Sequence, residues 1–295
     1  KHWSEVTADD AIESLAAAAQ QPDPFFMYIA FNAPHDPRQA PQEYLDRYPL
    51  DRIEVPPTFQ PEYPYKEEMA AGKRLRDEQL APFPRTEHAV KVHRREYFAI
   101  VTHLDAQIGR ILDALEASGQ ADSTWVFFTA DHGLAAGHHG LLGKQNMYDH
   151  SLRVPFMVRG PGVPANQRID EAIYLQDVMA TALDLANVQR PAPVFFNSLL
   201  PQISGDQTKT DYPSVLGSYL DKQRAIIRDG WKLILYPEAK VSRLYHVSAD
   251  PQEAHDLGDA PDHQERKRQL FAELQALQAE LDDYLDLTAV YPDLL

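Results

Sequence analysis

The chain has 295 residues, 44% of them apolar and 24% charged, which is enough for one large α/β domain or a main domain with a smaller companion. Its formal net charge of −16 argues against nucleic acid and anionic membrane surfaces as partners, and makes any anion site a local positive island. Cysteine is absent, which excludes disulfides, thiolate metal sites and a cysteine nucleophile within these residues.

Mean hydropathy is −0.45, and no apolar run approaches the ~18–20 residues that cross a bilayer. Lys1-His2-Trp3-Ser4-Glu5 lacks the apolar stretch of a signal peptide, and the compartment stays open. Thr7, followed by Asp9 and Asp10, reads as an N-cap with an acidic first turn and predicts a helix to about Gln20. The continuous apolar run Pro24–Phe31 suits a strand buried on both faces, and it delivers Asn32-Ala33-Pro34-His35 at its end.

Between about 34 and 85 there are ten prolines, at 34, 37, 41, 49, 56, 57, 61, 64, 82 and 84. They forbid long regular elements apart from a short helix around Lys66–Leu80. So long a connection is either a substrate-side rim or a surface meander. From Glu87 to Ser118, Tyr97, Ile100, Val101, Leu104, Ile108, Ile111, Leu112 and Leu115 recur at helical spacing, with Gly119 in place to end the helix. Trp125–Ala130 is a second buried-strand run, ending at Asp131-His132-Gly133. A short third run, Val154–Val158, closes at Gly160-Pro161-Gly162, and Leu175–Leu185 is amphipathic.

Past residue 212 the texture changes to short strand-like runs, Val215–Leu220, Arg224–Arg228, Lys232–Tyr236 and Leu244–Val247. A helix striped by Leu270, Leu274, Leu277 and Leu281 follows. The predicted fold is α/β: a mostly parallel sheet flanked by helices over 1–212, then a small antiparallel sheet plus helix over 213–295.

In an open α/β sheet, ligands bind beyond the carboxyl ends of strands, where this chain offers His35, Asp131 and His132. Four glycines within eleven residues, Gly133, Gly137, Gly140 and Gly143, then let the backbone turn tightly before Lys144. A carboxylate with a neutral imidazole can hold a divalent cation; a lysine and a second histidine can offset and protonate a developing anion. On spacing alone, Asp131-His132-Gly133 could equally be a turn in which Asp131 caps the next segment.

The stretch Thr129-Ala-Asp-His-Gly-Leu-Ala-Ala-Gly-His-His-Gly-Leu-Leu-Gly-Lys144, with Tyr148 and Ser151-Leu-Arg-Val-Pro155, resembles the late signature of type I sulfatases of the alkaline phosphatase superfamily. Pro24–His35, Leu104-Asp105-Ala-Gln-Ile-Gly109, Arg228–Ile234 and Asp250-Pro251-Gln252-Glu253 are similar to further parts of that family, so the likeness runs from about 1 to 285. The resemblance implies an incomplete sulfatase domain in which Asp131 and His132 are the late ligands of one metal, usually Ca²⁺ with Mg²⁺ as the alternative. It implies that Lys144 contacts the sulfate ester and that His35 stands at the bridging oxygen. His139 is then either structural or supports the ligands, Arg153 pairs with a carboxylate or fixes the next strand, and His103 is a packed or surface residue. The basic group Lys91, His93, Arg94 and Arg95 is either a rim patch or a solvated helix face.

The family also carries an early aspartate pair and a Cys-or-Ser-x-Pro-x-Arg motif whose first residue becomes formylglycine, the nucleophile. Neither feature is found here, and Asp9-Asp10 sits at a helix start. The expectation is therefore part of a sulfuric ester hydrolase. Its missing amino-terminal segment would bring the formylglycine and the other metal ligands, and the isolated chain would be inactive. Its partner would be a sulfated small molecule or carbohydrate, with no nucleic acid and no membrane. By analogy with the family the enzyme would be periplasmic, secreted or lysosomal. The alternatives are a phosphate or phosphonate monoester hydrolase of the same superfamily, or a noncatalytic remnant that binds a sulfated glycan or a partner chain.

Overall fold

The computed structural model describes residues 1–295. Helix α1, Trp3–Ala18, begins earlier than its Thr7 signal because the His2 imidazole accepts the amide hydrogen of Ser4 at 3.1 Å and caps it. Asp9 consequently lies inside the helix and pairs with Lys1 and Arg110. The Pro24–Phe31 run is extended, but residues 24–31 make no backbone–backbone hydrogen bond. Phe25 and Met27 pack on the cluster of Leu15, Leu115 and Ala121, while Phe26 and Tyr28 are more than four-fifths exposed.

The proline-rich connection holds one turn of helix, α2 (Gln42–Leu45), and two 3-10 turns, Leu50–Arg52 and Arg76–Leu80. The helix expected over 66–80 shrinks to the second of those turns, since Ala70 takes a φ of 59°, where a right-handed helix cannot continue. Helix α3, Glu87–Ala117, is capped by Thr86, whose hydroxyl accepts from the Ala89 amide at 3.1 Å, and ends before Gly119 at φ 75°. Three of the four basic side chains near its start, Lys91 apart, are engaged rather than free. His93, Arg94 and Arg95 donate to the carbonyls of Leu80, Ala136 and Leu45, bracing α3 against the connection and the glycine loop. His103 is packed, 1% exposed, edge-on to His2 and Tyr44.

Strand β1 (Val126–Thr129) is followed by the glycine loop, short helix α4 (Asp149–Leu152) and strand β2 (Phe156–Arg159). β1 and β2 pair antiparallel, Val126 opposite Arg159 and Thr129 opposite Phe156. The class is α/β as expected, yet within these residues every strand pair is antiparallel, and the 24–31 run finds no strand partner. Helices α5 (Asp177–Leu185) and α6 (Leu200–Ser204) lead to a four-stranded antiparallel sheet in the order β3-β4-β5-β6. Its strands are Val215–Tyr219, Gln223–Arg228, Trp231–Tyr236 and Val241–His246.

Helix α7, Gln264–Glu280, lays its leucine stripe on that sheet: Leu270, Phe271 and Leu274 are fully buried against Ile226, Leu233, Leu235 and Leu244. The sheet's other face is buried by the loops that carry the site. Tyr63, Met69, Leu141 and Tyr148 share one core with Ala225, Ile234, Tyr236 and Tyr245. Inside it, the Tyr63 hydroxyl lies 2.9 Å from that of Tyr148 and 3.1 Å from that of Tyr236, so the buried phenols satisfy one another.

Candidate functional site

The glycine loop folds back on itself. Ala135 donates to the Gly143 carbonyl and Gly137 to the Leu141 carbonyl, both at 2.8 Å, and Gly137 takes a φ of 101° at the tip. At its root, Gly133 donates to Ser151 at 2.9 Å, and a Cβ there would fall 2.0 Å from the His150 carbonyl oxygen. The loop's return segment ends at Lys144.

That loop is fixed from outside by the 3-10 turn Arg76–Leu80. The Glu78 carboxylate accepts the amides of Leu142 and Gly143, the latter at 2.7 Å, and is paired with the buried guanidinium of Arg85. Arg85 spends its other donors on the carbonyls of Gly140 and Ala81, each at 2.7 Å. Asp77, next to Glu78, is 2% exposed and accepts from Lys144 Nζ at 3.1 Å, Gln145 Nε2 at 3.1 Å and Arg76 Nε at 2.8 Å. Burial pushes the Asp77 carboxyl up, but the hydrogen bonds from Arg76, Gln145 and Lys144 outweigh it and hold it at about 2. Asp77 is therefore a fixed negative charge at any working pH.

His35 and Lys144 lie 109 residues apart in sequence and meet here, Lys144 Nζ at 2.8 Å from His35 Nε2. His35 Nδ1 lies 3.0 Å from the Asp36 carbonyl, which can only accept, so Nδ1 carries the hydrogen and Nε2 the lone pair. Arg76 Nη2 also reaches Nε2, at 3.0 Å. Sequence reasoning missed Arg76, Asp77, Glu78 and Arg85. Their one visible signal is three consecutive charges, Arg76-Asp77-Glu78, in an otherwise proline-rich connection.

Asp131 and His132 form the second pair. The Asp131 carboxylate is exposed and lies 3.4 Å from His132 Nε2, while His132 Nδ1 lies 3.0 Å from the Gly133 carbonyl. The Gly133 carbonyl can only accept, so Nδ1–H donates to it, and Nε2 is left facing the carboxylate. An oxygen and a nitrogen thus lie 3.4 Å apart, a spacing that fits two positions around a divalent cation. No third His, Cys, Asp or Glu joins them, and no group of three such residues anywhere in the chain could hold a metal. No hydrogen bond or ion pair links this pair to His35 and Lys144.

His139 is not at the site. Its ring stacks on Tyr148 with centroids 3.8 Å apart and is 6% exposed. Burial, helped by the Arg94 charge at His138 and by the neighbouring histidine at His139, lowers His138 to about 4 and His139 to about 3, so both are neutral and structural.

Residues 1–188 match the sulfatase family model, and 137–280 match that of the N-sulphoglucosamine sulphohydrolase carboxyl-terminal region. Arylsulfatase K of Xenopus laevis is 28% identical over 291 residues, covering 88% of this chain and 53% of that protein. Choline-sulfatase of Rhizobium meliloti is 31% identical over 245 residues, covering 81% of this chain and 47% of that protein. A structure solved in complex with its substrate D-glucosamine-2-N,6-O-disulfate superposes with a TM-score of 0.78 at 21% identity, over 96% of this chain and 70% of that one. The phosphonate monoester hydrolase of Silicibacter pomeroyi superposes with a TM-score of 0.80 at 21% identity, over 94% and 60% respectively. The chain thus spans about half the length of the curated relatives it matches. With its family match running from the first helix through α5, the chain belongs to the sulfatase family.

Proposed function

We propose that this chain carries the late half of a metal-assisted sulfate-monoester hydrolase site, and that the nucleophile and the remaining metal ligands come from residues outside these 295. Asp131 and His132 would hold a divalent cation, Ca²⁺ by the oxygen-rich chemistry expected of the full site, and that ion would offset charge on the sulfate oxygens. Lys144, aimed by Asp77, donates to a sulfate oxygen and offsets the charge that builds as the S–O bond breaks. His35 presents Nε2 to the bridging oxygen; it would give the leaving alcohol its proton after taking one up at Nε2, as an imidazolium whose Nδ1–H stays on the Asp36 carbonyl.

The observation that carries this reading is the convergence of His35 Nε2, Lys144 Nζ and the buried Asp77 carboxylate within 3.1 Å links. The extended 24–31 run, with its unpaired backbone and exposed Phe26 and Tyr28, supports the view that further chain completes the sheet beside it. A phosphate or phosphonate monoester would meet the same charges, so the competing substrate class is tested side by side. Full-length protein assayed on 4-nitrophenyl sulfate and 4-nitrophenyl phosphate should show the higher kcat/KM on the sulfate. A preference for the phosphate would move the assignment to the phosphomonoester branch.

A further inference from the structure

Arg76 is the one cation at the site that the proposed chemistry leaves unused. Two donors converge on His35 Nε2, Lys144 Nζ at 2.8 Å and Arg76 Nη2 at 3.0 Å, yet a neutral imidazole nitrogen has a single in-plane lone pair. One of the two donors is surplus. The Lys144 side chain is 15% exposed, whereas that of Arg76 is 72% exposed. When a substrate oxygen takes its place at Nε2, Arg76 is the partner free to yield.

It cannot go far. Its Nε and Nη2 lie 2.8 and 2.7 Å from Asp77 Oδ1, and Asp77 itself is held from below by Lys144 and Gln145. Nη1 makes no hydrogen bond within the chain, so with Nε and Nη2 on that carboxylate the tether leaves the outer edge of the guanidinium free. The charges also leave a surplus: two cations, Lys144 and Arg76, face one carboxylate, Asp77, at the site of a chain whose net charge is −16. Such an edge suits a carboxylate or a sulfate, each of which presents two oxygens to a planar fork.

We propose that Arg76 is a specificity-determining residue that receives a second anionic group, carboxylate or sulfate, carried by the substrate beside the scissile sulfate. The inference rests on the sulfatase reading above and adds the class of substrate: a sulfate ester with a neighbouring negative charge, as an acidic or multiply sulfated sugar has.

The test uses full-length protein and three probes: 4-nitrophenyl sulfate, the same ester with an ortho carboxylate, and the same ester with an ortho sulfate. The wild type should favour at least one dianionic probe over the monoanion. In Arg76→Ala that ratio of kcat/KM should fall about tenfold, the effect of losing one charge-assisted contact. Arg76→Lys, which keeps a charge but loses the fork, should recover part of it. Any slackening of Asp77 or Lys144 lowers all three rates together and leaves the ratio alone, so a merely structural role would not move it. The larger fall, on the carboxylate or on the sulfate probe, tells which anion Arg76 receives. An unchanged ratio in both variants, or a wild type without preference for either dianion, overturns the inference while leaving the sulfatase reading intact. A wild type that hydrolyses none of the three defeats the sulfatase reading first, and the inference falls with it.

Discussion

Replacing Glu78 by Gln probes the clamp that presents Lys144. The side chains of Glu78 and Arg85 are 1% and 0% exposed, so the substitution leaves a buried guanidinium without its counter-charge, a loss of roughly 3–5 kcal/mol for a pair of this kind. Glu78 Oε1 also accepts the amides of Leu142 and Gly143; a carboxamide oxygen there keeps both only by turning its NH2 on Arg85, and the reverse orientation turns it on Gly143, so either places donor against donor at a further ~1–3 kcal/mol. Some relaxation is expected, so the urea midpoint of the full-length protein at pH 7 should report a loss of at least about 3 kcal/mol at constant slope. Turnover should fall with it while metal content holds, because Gly143 precedes Lys144 and the Asp131-His132 pair lies at the far end of the loop. The double substitution Glu78→Leu with Arg85→Leu should not restore stability. An ordinary buried ion pair can be exchanged for apolar groups, but here the Leu142 and Gly143 amides and the Gly140 and Ala81 carbonyls would lose their partners. A loss below about 1 kcal/mol for Glu78→Gln, or a stable double variant, would refute the clamp.

Lys144→Ala should lower kcat on an aryl sulfate by ~10²–10³, far more than it lowers stability, since one group aimed at transition-state charge contributes on that order and Asp77 keeps Arg76 and Gln145 as partners; a loss below tenfold would make Lys144 peripheral. Asp131→Ala combined with His132→Ala should remove the divalent ion and turnover together, read by elemental analysis, and unchanged metal content would overturn the assignment. His139 gives a pH prediction with a definite sign. Its folded value, about 3, lies below the ~6.5 of an unfolded imidazole, so the unfolded chain takes up the proton first and stability is lost as pH falls from about 6.5 toward 3. Between pH 7 and 5 that loss is roughly 2 kcal/mol, and His139→Asn, which tolerates the left-handed φ of 54° at this position, should remove that share of the pH dependence in denaturant melts.

The loop from Asp131 to Lys144 is legible in the sequence because its information is local: a strand end, four glycines at tight turns and a terminal lysine. The C-terminal sheet is legible for the same reason, as its strands follow one another through short turns in the order β3-β4-β5-β6. What binds distant segments is not legible. Nothing near Lys144 announces that His35 will lie 2.8 Å away, or that Asp77 will sit between Lys144 and Arg76. Arg76-Asp77-Glu78 looks like an ordinary charged loop until burial separates three neighbours into an exposed cation, an aiming carboxylate and a backbone clamp. The 24–31 run misleads differently. Its composition specifies a strand, but a strand's hydrogen bonds belong to its neighbours, and no neighbour for it lies within these residues.

The half-site claim is tested most directly by comparing sulfate release from 4-nitrophenyl sulfate by the 295-residue chain alone and by the full-length protein. Turnover is expected only in the full-length protein, since no Cys or Ser stands in the nucleophile motif here and Asp131 with His132 gives a hard cation two ligands of the six to eight it takes. Turnover by the chain alone at a rate approaching that of the full-length protein, with mass measurement showing no second polypeptide, would contradict it and place the nucleophile among these 295 residues.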